Sequence, residues 1–293
     1  MIVMTKSTVH DGHYPYVYTS AQLAKYFGIT VKGIEYYEKK QLIAPARVGA
    51  SRDRAFNLTD TYRLFMSRYL HQAEYSIQET LTMLDEPDLS NVVRQFDDKI
   101  TQLKRKQLWL SRVIDRLSEN CALLKRAENG PFFEQVTSPA YQWLFLREMD
   151  GPHTSNQQQS NEYRAWNELM PITDASLRYS ADELKKLPVE KMAEDTYLPA
   201  EIGMMMDDND FEQFDLTASE RTYFMQSRHC VHTILIGNAQ KIETAAWLRP
   251  TFDYLTDHNL TMDGDIVTSL LFVLNDEQDS VRFDEAWVPV KHI

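Results

Sequence analysis

Residues 93–124 constrain this chain more than any other stretch. Val93, Phe96, Ile100, Leu103, Gln107, Leu110, Ile114, Leu117, Cys121 and Leu124 follow one another at spacings that alternate three and four without a break. Gln107 is the one polar member. Lys104, Arg105, Lys106, Arg112, Asp115, Arg116 and Glu119 fall between these positions. A 3.5-residue apolar repeat held this long keeps a narrow seam on one face of a helix, and a second helix wound around it buries that seam. The helix would be roughly 48 Å long at 1.5 Å per residue, too long for one small domain to hide. No other stretch repeats the pattern, so the predicted partner is the same helix of a second chain. The expected dimer contacts are Ile100, Leu103, Gln107, Leu110, Ile114, Leu117, Cys121 and Leu124. The alternative is a long helix folded back on its own domain. Gln107 would cost some stability in the seam and would fix its register.

The two sides of this helix differ in charge. Residues 1–129 hold 19 Lys and Arg against 15 Asp and Glu, while residues 130–293 hold 12 against 28. The formal net charge of −12 conceals this split. One part can approach a polyanion and the other cannot. Two cysteines, Cys121 and Cys230, make no disulfide framework and read as packed thiols. Residues 1–15 lack the pattern of a signal peptide, and no apolar run approaches a membrane span. A soluble cytoplasmic protein with no membrane partner is expected. Its 293 residues leave room for two domains and a connecting helix.

In chain order, residues 1–17 read as a flexible arm. A helix follows, with Thr19 or Ser20 as cap, Leu23, Ala24 and Phe27 as its apolar stripe, and Gly28 as its stop. A second helix begins at Thr30. Two short helices across a tight turn make a helix-turn-helix, whose second helix enters the major groove. Its outward positions would be Val31, Lys32, Glu35 and Tyr36, with Ile34 and Tyr37 in the core. Residues 42–56 read as a β-ribbon wing whose Arg47, Arg52 and Arg54 can meet phosphates. A third helix runs from Leu58 to about Ala73 with Thr59 as cap, and Tyr37, Phe56 and Tyr69 read as core. Ser76-Ile77-Gln78-Glu79 has the form of a capping box and opens a fourth helix. The predicted DNA-facing set is Thr30, Val31, Lys32, Glu35, Tyr36, Lys39, Arg47, Arg52, Arg54 and Arg63.

This order, with Ala24-Lys25, Gly28-Ile29-Thr30-Val31, Tyr36-Tyr37-Glu38, Leu42-Ile43-x-Pro45, Arg54-x-Phe56 and Tyr75-Ser76-Ile77-x-Glu79, resembles the DNA-binding domain of the mercury-resistance-regulator (MerR) family. The resemblance implies an antiparallel dimerisation helix, promoter DNA as partner, and RNA polymerase engaged indirectly through DNA distortion. The chain departs from the family pattern at Gly33, Glu35 and Glu74, where the family usually has Thr, Arg and Gly. Glu35 removes a basic contact and can accept from cytosine instead.

Beyond Gly130-Pro131 the pattern changes to α+β. Strands are expected near 138–147, 201–206, 220–226, 229–236, 266–274 and 281–290, with helices near 155–170 and 239–258. Residues 173–200, polar and rich in Lys and Glu, read as an irregular or helical insertion. Strand, helix and two strands occur twice. With the closing Asp284-Glu285-Ala286-Trp287-Val288-Pro289-Val290, this half resembles the gyrase-inhibitor-like (GyrI-like) ligand-binding domain. The pair of domains implies the multidrug-sensing branch, whose members bind lipophilic, often cationic aromatic compounds. A buried organic cation needs a carboxylate and aromatic faces. Glu285 and Trp287 share a strand face, as do Tyr141 and Trp143, while Tyr163 and Trp166 lie three apart on a helix. These six are the predicted ligand-binding residues, against the plainer reading that such rings are core.

No metal site is expected. His229 and His232 point to opposite faces of a strand, and Asp207-Asp208-Asn209-Asp210 lacks the spacing of a calcium loop. No cofactor and no nucleophile–His–acid set is visible. The predicted architecture is multidomain α+β. It comprises an arm (1–17), a winged helix-turn-helix (18–86), a dimerisation helix (88–129) and a GyrI-like effector domain (131–293). The expected function is a ligand-responsive DNA-binding regulator that activates a promoter. The rivals are a ligand-independent repressor or architectural protein, and an enzyme acting on a molecule bound in the second half.

Overall fold

The structure, a computed structural model, describes residues 18–48, 50, 52–148, 157–187, 193–275 and 280–293. The expected arm at 1–17 lies outside the described residues. The chain divides into two compact units, Met1–Arg105 and Lys106–Ile293.

The first unit is a winged helix-turn-helix. Helix α1 (Ser20–Phe27) starts on a capping box in which Thr19 accepts from the Gln22 backbone and Gln22 reaches back. It stops at Gly28, whose φ of 62° is the left-handed conformation that glycine adopts without a steric penalty. Helix α2 (Val31–Lys39) is capped by Thr30. Strands β1 (Ala46–Val48) and β2 (Asp53–Ala55) pair antiparallel as the wing. Helix α3 (Leu58–Gln72) is capped by Asn57, not by the expected Thr59; Asn57 and Asp60 form the box. Helix α4 (Ile77–Leu84) has the predicted Ser76/Glu79 box. Leu23, Ala24, Ile34, Ile43, Phe56 and Leu64 form the core, with Tyr37 packed against it. Tyr69 is not core. The buried stripe of α3 is Leu64, Ser67 and Leu70, which turns Tyr62, Phe65 and Tyr69 outward.

Helix α5 (Leu89–Ala127) is the expected long helix, 39 residues in all. Its first part belongs to the first unit, where Val92 and Phe96 pack on Tyr75 and Met83. Its last part belongs to the second unit, where Leu108, Trp109 and Val113 pack on one apolar cluster and Leu123, Leu124 and Ala127 on another. The helix therefore has two stripes. The seam positions Val93, Ile100, Gln107, Leu110, Ile114, Leu117 and Cys121 are exposed, while Trp109, Arg112, Val113, Arg116 and Leu123 recur on the covered side. Cys121 is thus an exposed thiol and Cys230 a buried one.

The second unit is α+β around an antiparallel sheet. The strands are β3 (Phe133–Thr137), β4 (Tyr141–Glu148), β5 (Asp174–Tyr179), β6 (Glu201–Asp207), β7 (Thr222–Met225), β8 (His229–Asn238), β9 (Leu260–Met262), β10 (Ile266–Asn275) and β11 (Ser280–His292). The helices are α6 (Gln157–Asn167), α7 (Ala181–Lys185), α8 (Asp208–Gln213) and α9 (Ala245–Asp257). The sheet order is β3-β8-β11-β10-β5-β6-β4-β7, with β9 paired to β11. The strand–helix–strand–strand unit occurs twice, as β4-α6-β5-β6 and β8-α9-β10-β11. The two copies meet where β5 pairs with β10. The short strand preceding each copy crosses to the other one: β3 pairs with β8, and β7 with β4.

The expectation for 173–200 is corrected by β5. It is a central strand, not part of an insertion. Its alternation is hidden because buried Ser176 and partly buried Arg178 and Asp174 stand where a pattern search looks for apolar residues. Ser176 is stabilised there by accepting a hydrogen bond from the Trp143 indole at 2.8 Å. Gly203 on β6 makes room for that indole: a Cβ there would sit 2.3 Å from the Trp143 ring.

Candidate functional site

The first unit presents a charged surface built by α2 and the wing. Because Ile34 is drawn into the core, Val31, Lys32, Glu35, Tyr36 and Lys39 are left on the outer face. Thr30 is committed to its cap and accepts from the Gly33 backbone at 3.1 Å. Arg47 and Arg54 stand directly opposite each other on the wing, where like charges repel. Glu38 relieves this: it accepts from both, with Arg54 Nε at 2.6 Å. Glu35 joins the same cluster at 3.1 Å from Arg54. The carboxylate that departs from the family pattern therefore has an internal cation. Arg52 is exposed at the wing turn, with φ of 54°. Arg63 stands apart from this surface. Its Nε donates to the Leu42 carbonyl at 2.9 Å and its Nη1 to Asp85 at 2.8 Å, so it braces the loop after α2 against the end of α4.

The second unit holds a cavity of about 370 Å³. The C-terminal part of α5 forms one wall, and residues from β4, β5, β6, α8, β8 and β11, with Pro139 and Ile172, form the rest. Tyr141, Glu285 and Trp287 line it, three of the six predicted residues. The other three do not. Trp143 is fully buried beside Met205 and Val267. Trp166 and Tyr163 belong to the cluster around Phe211 and Met204. Trp166 lines a second cavity, of about 730 Å³, with Glu162, Leu216 and Arg221.

The cavity contains residues that sequence reasoning did not select: Arg112, Arg116, Asp174, Asp210 and His232. Arg112 makes a two-pronged pair with Asp210 at 2.6 and 2.8 Å. Arg116 Nη2 donates to Asp174 Oδ2 at 2.6 Å and to Ser269 Oγ at 2.9 Å, and its Nη1 lies 3.7 Å from Glu285. Glu285 Oε1 lies 2.9 Å from His232 Nε2, and His232 Nδ1 lies 2.9 Å from Glu134. Arg126 closes the chain by donating twice to Glu134, at 3.0 and 3.1 Å. His232 also stacks on Trp287, with ring centres 4.1 Å apart.

Burial sets the protonation of these groups. Burial pushes the Asp174 carboxyl up to about 6, even though Arg116 and Ser269 oppose the rise. Burial pulls the His232 imidazole down, but the hydrogen bonds and charges of Glu285 and Glu134 outweigh it, so it stands above the usual histidine value. The Arg126 hydrogen bonds hold Glu134 below the usual carboxylate range. Arg116 loses hydration, and the charges of Asp174 and Glu285 more than restore its preference for the charged form. The signal that could have found Arg112 and Arg116 is their spacing of four. It places both on one helix face, interleaved with Trp109, Val113 and Leu123.

Among the described residues no group of three His, Cys, Asp or Glu is placed to hold a metal ion, and no helix is long and apolar enough to cross a membrane.

The first unit thus defines a class, the winged helix-turn-helix DNA-binding domain. Residues 18–86 match the family model described as MerR HTH family regulatory protein, and this unit is a MerR-family helix-turn-helix domain. Over 102 residues the chain is 28% identical to the HTH-type transcriptional regulator SkgA of Caulobacter vibrioides, a match covering 34% of this chain and 40% of that relative. The chain therefore spans well under half the length of the curated relatives it matches. Among solved structures it is similar to a MerR-family transcriptional regulator from Bacillus cereus, with a TM-score of 0.35 and 19% identity over 39% of this chain and 86% of that one. It is also similar to EcmrR, solved in an EcmrR–DNA complex, with a TM-score of 0.35 and 13% identity over 94% of this chain and all of that one.

Proposed function

We propose that this chain is a cytoplasmic, homodimeric transcription regulator that binds promoter DNA through its first unit and an aromatic, positively charged effector through its second. The single observation that carries the effector reading is the cavity in which the Tyr141 and Trp287 rings meet the carboxylates of buried Glu285 and partly buried Asp174. A cation entering such a place trades its hydration for a carboxylate and ring faces. The second unit is best read as a GyrI-like effector domain of the multidrug-sensing kind, on the strength of its duplicated strand–helix–strand–strand unit. Dimerisation is supported by the seam of α5, whose apolar positions Ile100, Leu110, Ile114 and Leu117 are about half exposed in the single chain. The effector would act by changing DNA shape, letting polymerase engage the promoter indirectly, rather than by releasing the DNA.

The test is a tryptophan-fluorescence titration of the full chain with aromatic cations and matched neutral analogues, on the natural chain and on Glu285→Gln. Saturable quenching by the cations, weakened about tenfold or more by the substitution, is expected if Glu285 supplies counter-charge. Quenching that is indifferent to both ligand charge and the substitution would remove the cationic class. A footprint on promoter DNA that vanishes on effector addition, with no central distortion, would remove the DNA-shape mechanism.

A further inference from the structure

The effector cavity already contains a cation. Arg116 places its guanidinium against Asp174, Ser269 and Glu285. A guanidinium is a planar fork with five donors. Here the Nη groups are served, while Nε is buried with no acceptor among the described residues. The seat suits the shape and charge of a guanidinium, and Arg116 fills it incompletely. Glu285 is also engaged by His232 at 2.9 Å. The two carboxylates of the seat are already engaged, Asp174 by Arg116 and Glu285 by Arg116 and the His232 imidazole, so an incoming cation has to replace one of these partners. Arg116 is the one with somewhere to go. Glu119 lies 3.6 Å from its Nη1, and both Glu119 and Asp115 are exposed carboxylates on the same helix lining the cavity.

We propose that the Asp174–Ser269–Glu285 seat is a guanidinium subsite held by Arg116 until an effector arrives, and that the effector is an aryl guanidine or amidine whose head group exchanges with Arg116. This inference rests on the effector-site reading above. The exchange conserves charge in the seat: one delocalised cation leaves towards Glu119 and one enters. It also sets specificity. A quaternary ammonium carries charge but no N–H, so it cannot donate to Asp174 and Ser269. A urea has the shape and the N–H groups but no charge.

The experiment uses the full chain and Arg116→Ala. Thermal melts are recorded with low-millimolar guanidinium chloride, sodium chloride and urea. Phenylguanidinium, benzyltrimethylammonium and phenylurea are then titrated by tryptophan fluorescence. Guanidinium is expected to raise the melting temperature of Arg116→Ala, with urea and sodium chloride inert and the natural chain unmoved. Phenylguanidinium is expected to bind Arg116→Ala about tenfold or more tightly than the natural chain, because an internal competitor has gone. Should the variant be unfolded, recovery of its circular dichroism by guanidinium or phenylguanidinium supports the proposal, and failure of both overturns it. A folded variant that treats guanidinium and urea alike, or binds phenylguanidinium no more tightly than the natural chain, also overturns it. If the natural chain binds aromatic cations through Glu285 while Arg116→Ala gains nothing, the exchange fails and the effector reading stands. If no probe binds the natural chain or the variant, the effector reading fails, and the guanidinium melts still report on the seat.

Discussion

Arginine meets carboxylate in both units, and the setting decides what the pairing does. On the wing, Arg47 and Arg54 clasp Glu38 at the protein surface. Inside the second unit, Arg116 meets Asp174 and Glu285 where all three are largely removed from water. A surface pair is worth about 0–1 kcal/mol and is screened by salt, so its arginine can turn to a phosphate at little cost. A buried pair gains little over an apolar substitute, but removing one member strands the other charge. The wing pairs suit reversible contact with a polyanion. The cavity pairs suit a two-position device in which one cation replaces another.

The comparison breaks most visibly at Arg116. Arg116→Met, read by urea unfolding of the second-unit signal, is expected to cost about 3–5 kcal/mol, because Asp174 and Glu285 keep their burial and lose a counter-charge. A cost below about 1 kcal/mol would mean the buried pair behaves like a surface one. The next effect is one of pH, and it has opposite signs in the two units. Asp174 is raised from 3.8 to about 6, so its favourable contribution holds at low pH and is lost as pH climbs towards 6. His232 is raised from 6.5, so its contribution holds below that value and is lost above it. The second unit is therefore expected to melt at progressively lower temperature as pH rises from about 4 to 6 and again above 6.5, and Asp174→Asn with His232→Gln to flatten the trend. In the first unit the Ser76 backbone N–H and hydroxyl hold Glu79 below 4.5, so its contribution holds above 4.5 and is lost on acidification. A first unit that gained stability below that value would contradict this assignment. The smallest effect on stability is expected at the wing. Arg47→Ala is expected to change it by less than about 1 kcal/mol. The same substitution should lower the salt dependence of DNA binding by about one counter-ion, uniformly across sequences.

The local features were legible in advance. The caps at Thr19 and Ser76, the stop at Gly28 and the heptad seam are all read within one or two helical turns. The pairing of Glu285 with Trp287 on one strand face was legible for the same reason, since side chains alternate along a strand. Where expectation failed, distant parts of the chain were deciding. Strand β5 escaped notice because Asp174, Ser176 and Arg178 are polar, yet each meets its partner, Arg116, Trp143 or Glu201, far away in sequence. Trp143 looked like a ligand ring until the sheet enclosed it. Tyr69 looked like core until α3 turned its other stripe inward.

By itself the sequence determined a winged helix-turn-helix, a long seam helix and a duplicated α+β half, because helix periodicity, strand alternation and capping are short-range. It also identified one carboxylate and two rings of the cavity. Only the tertiary structure decided what surrounds them. Arg116 reads in the sequence as one of several charges between seam positions. Its partners Asp174, Ser269 and Glu285 lie 58 to 169 residues further along the chain. The energy of a buried charge is set by whichever groups the fold brings within a few ångströms, and no local pattern records that distance.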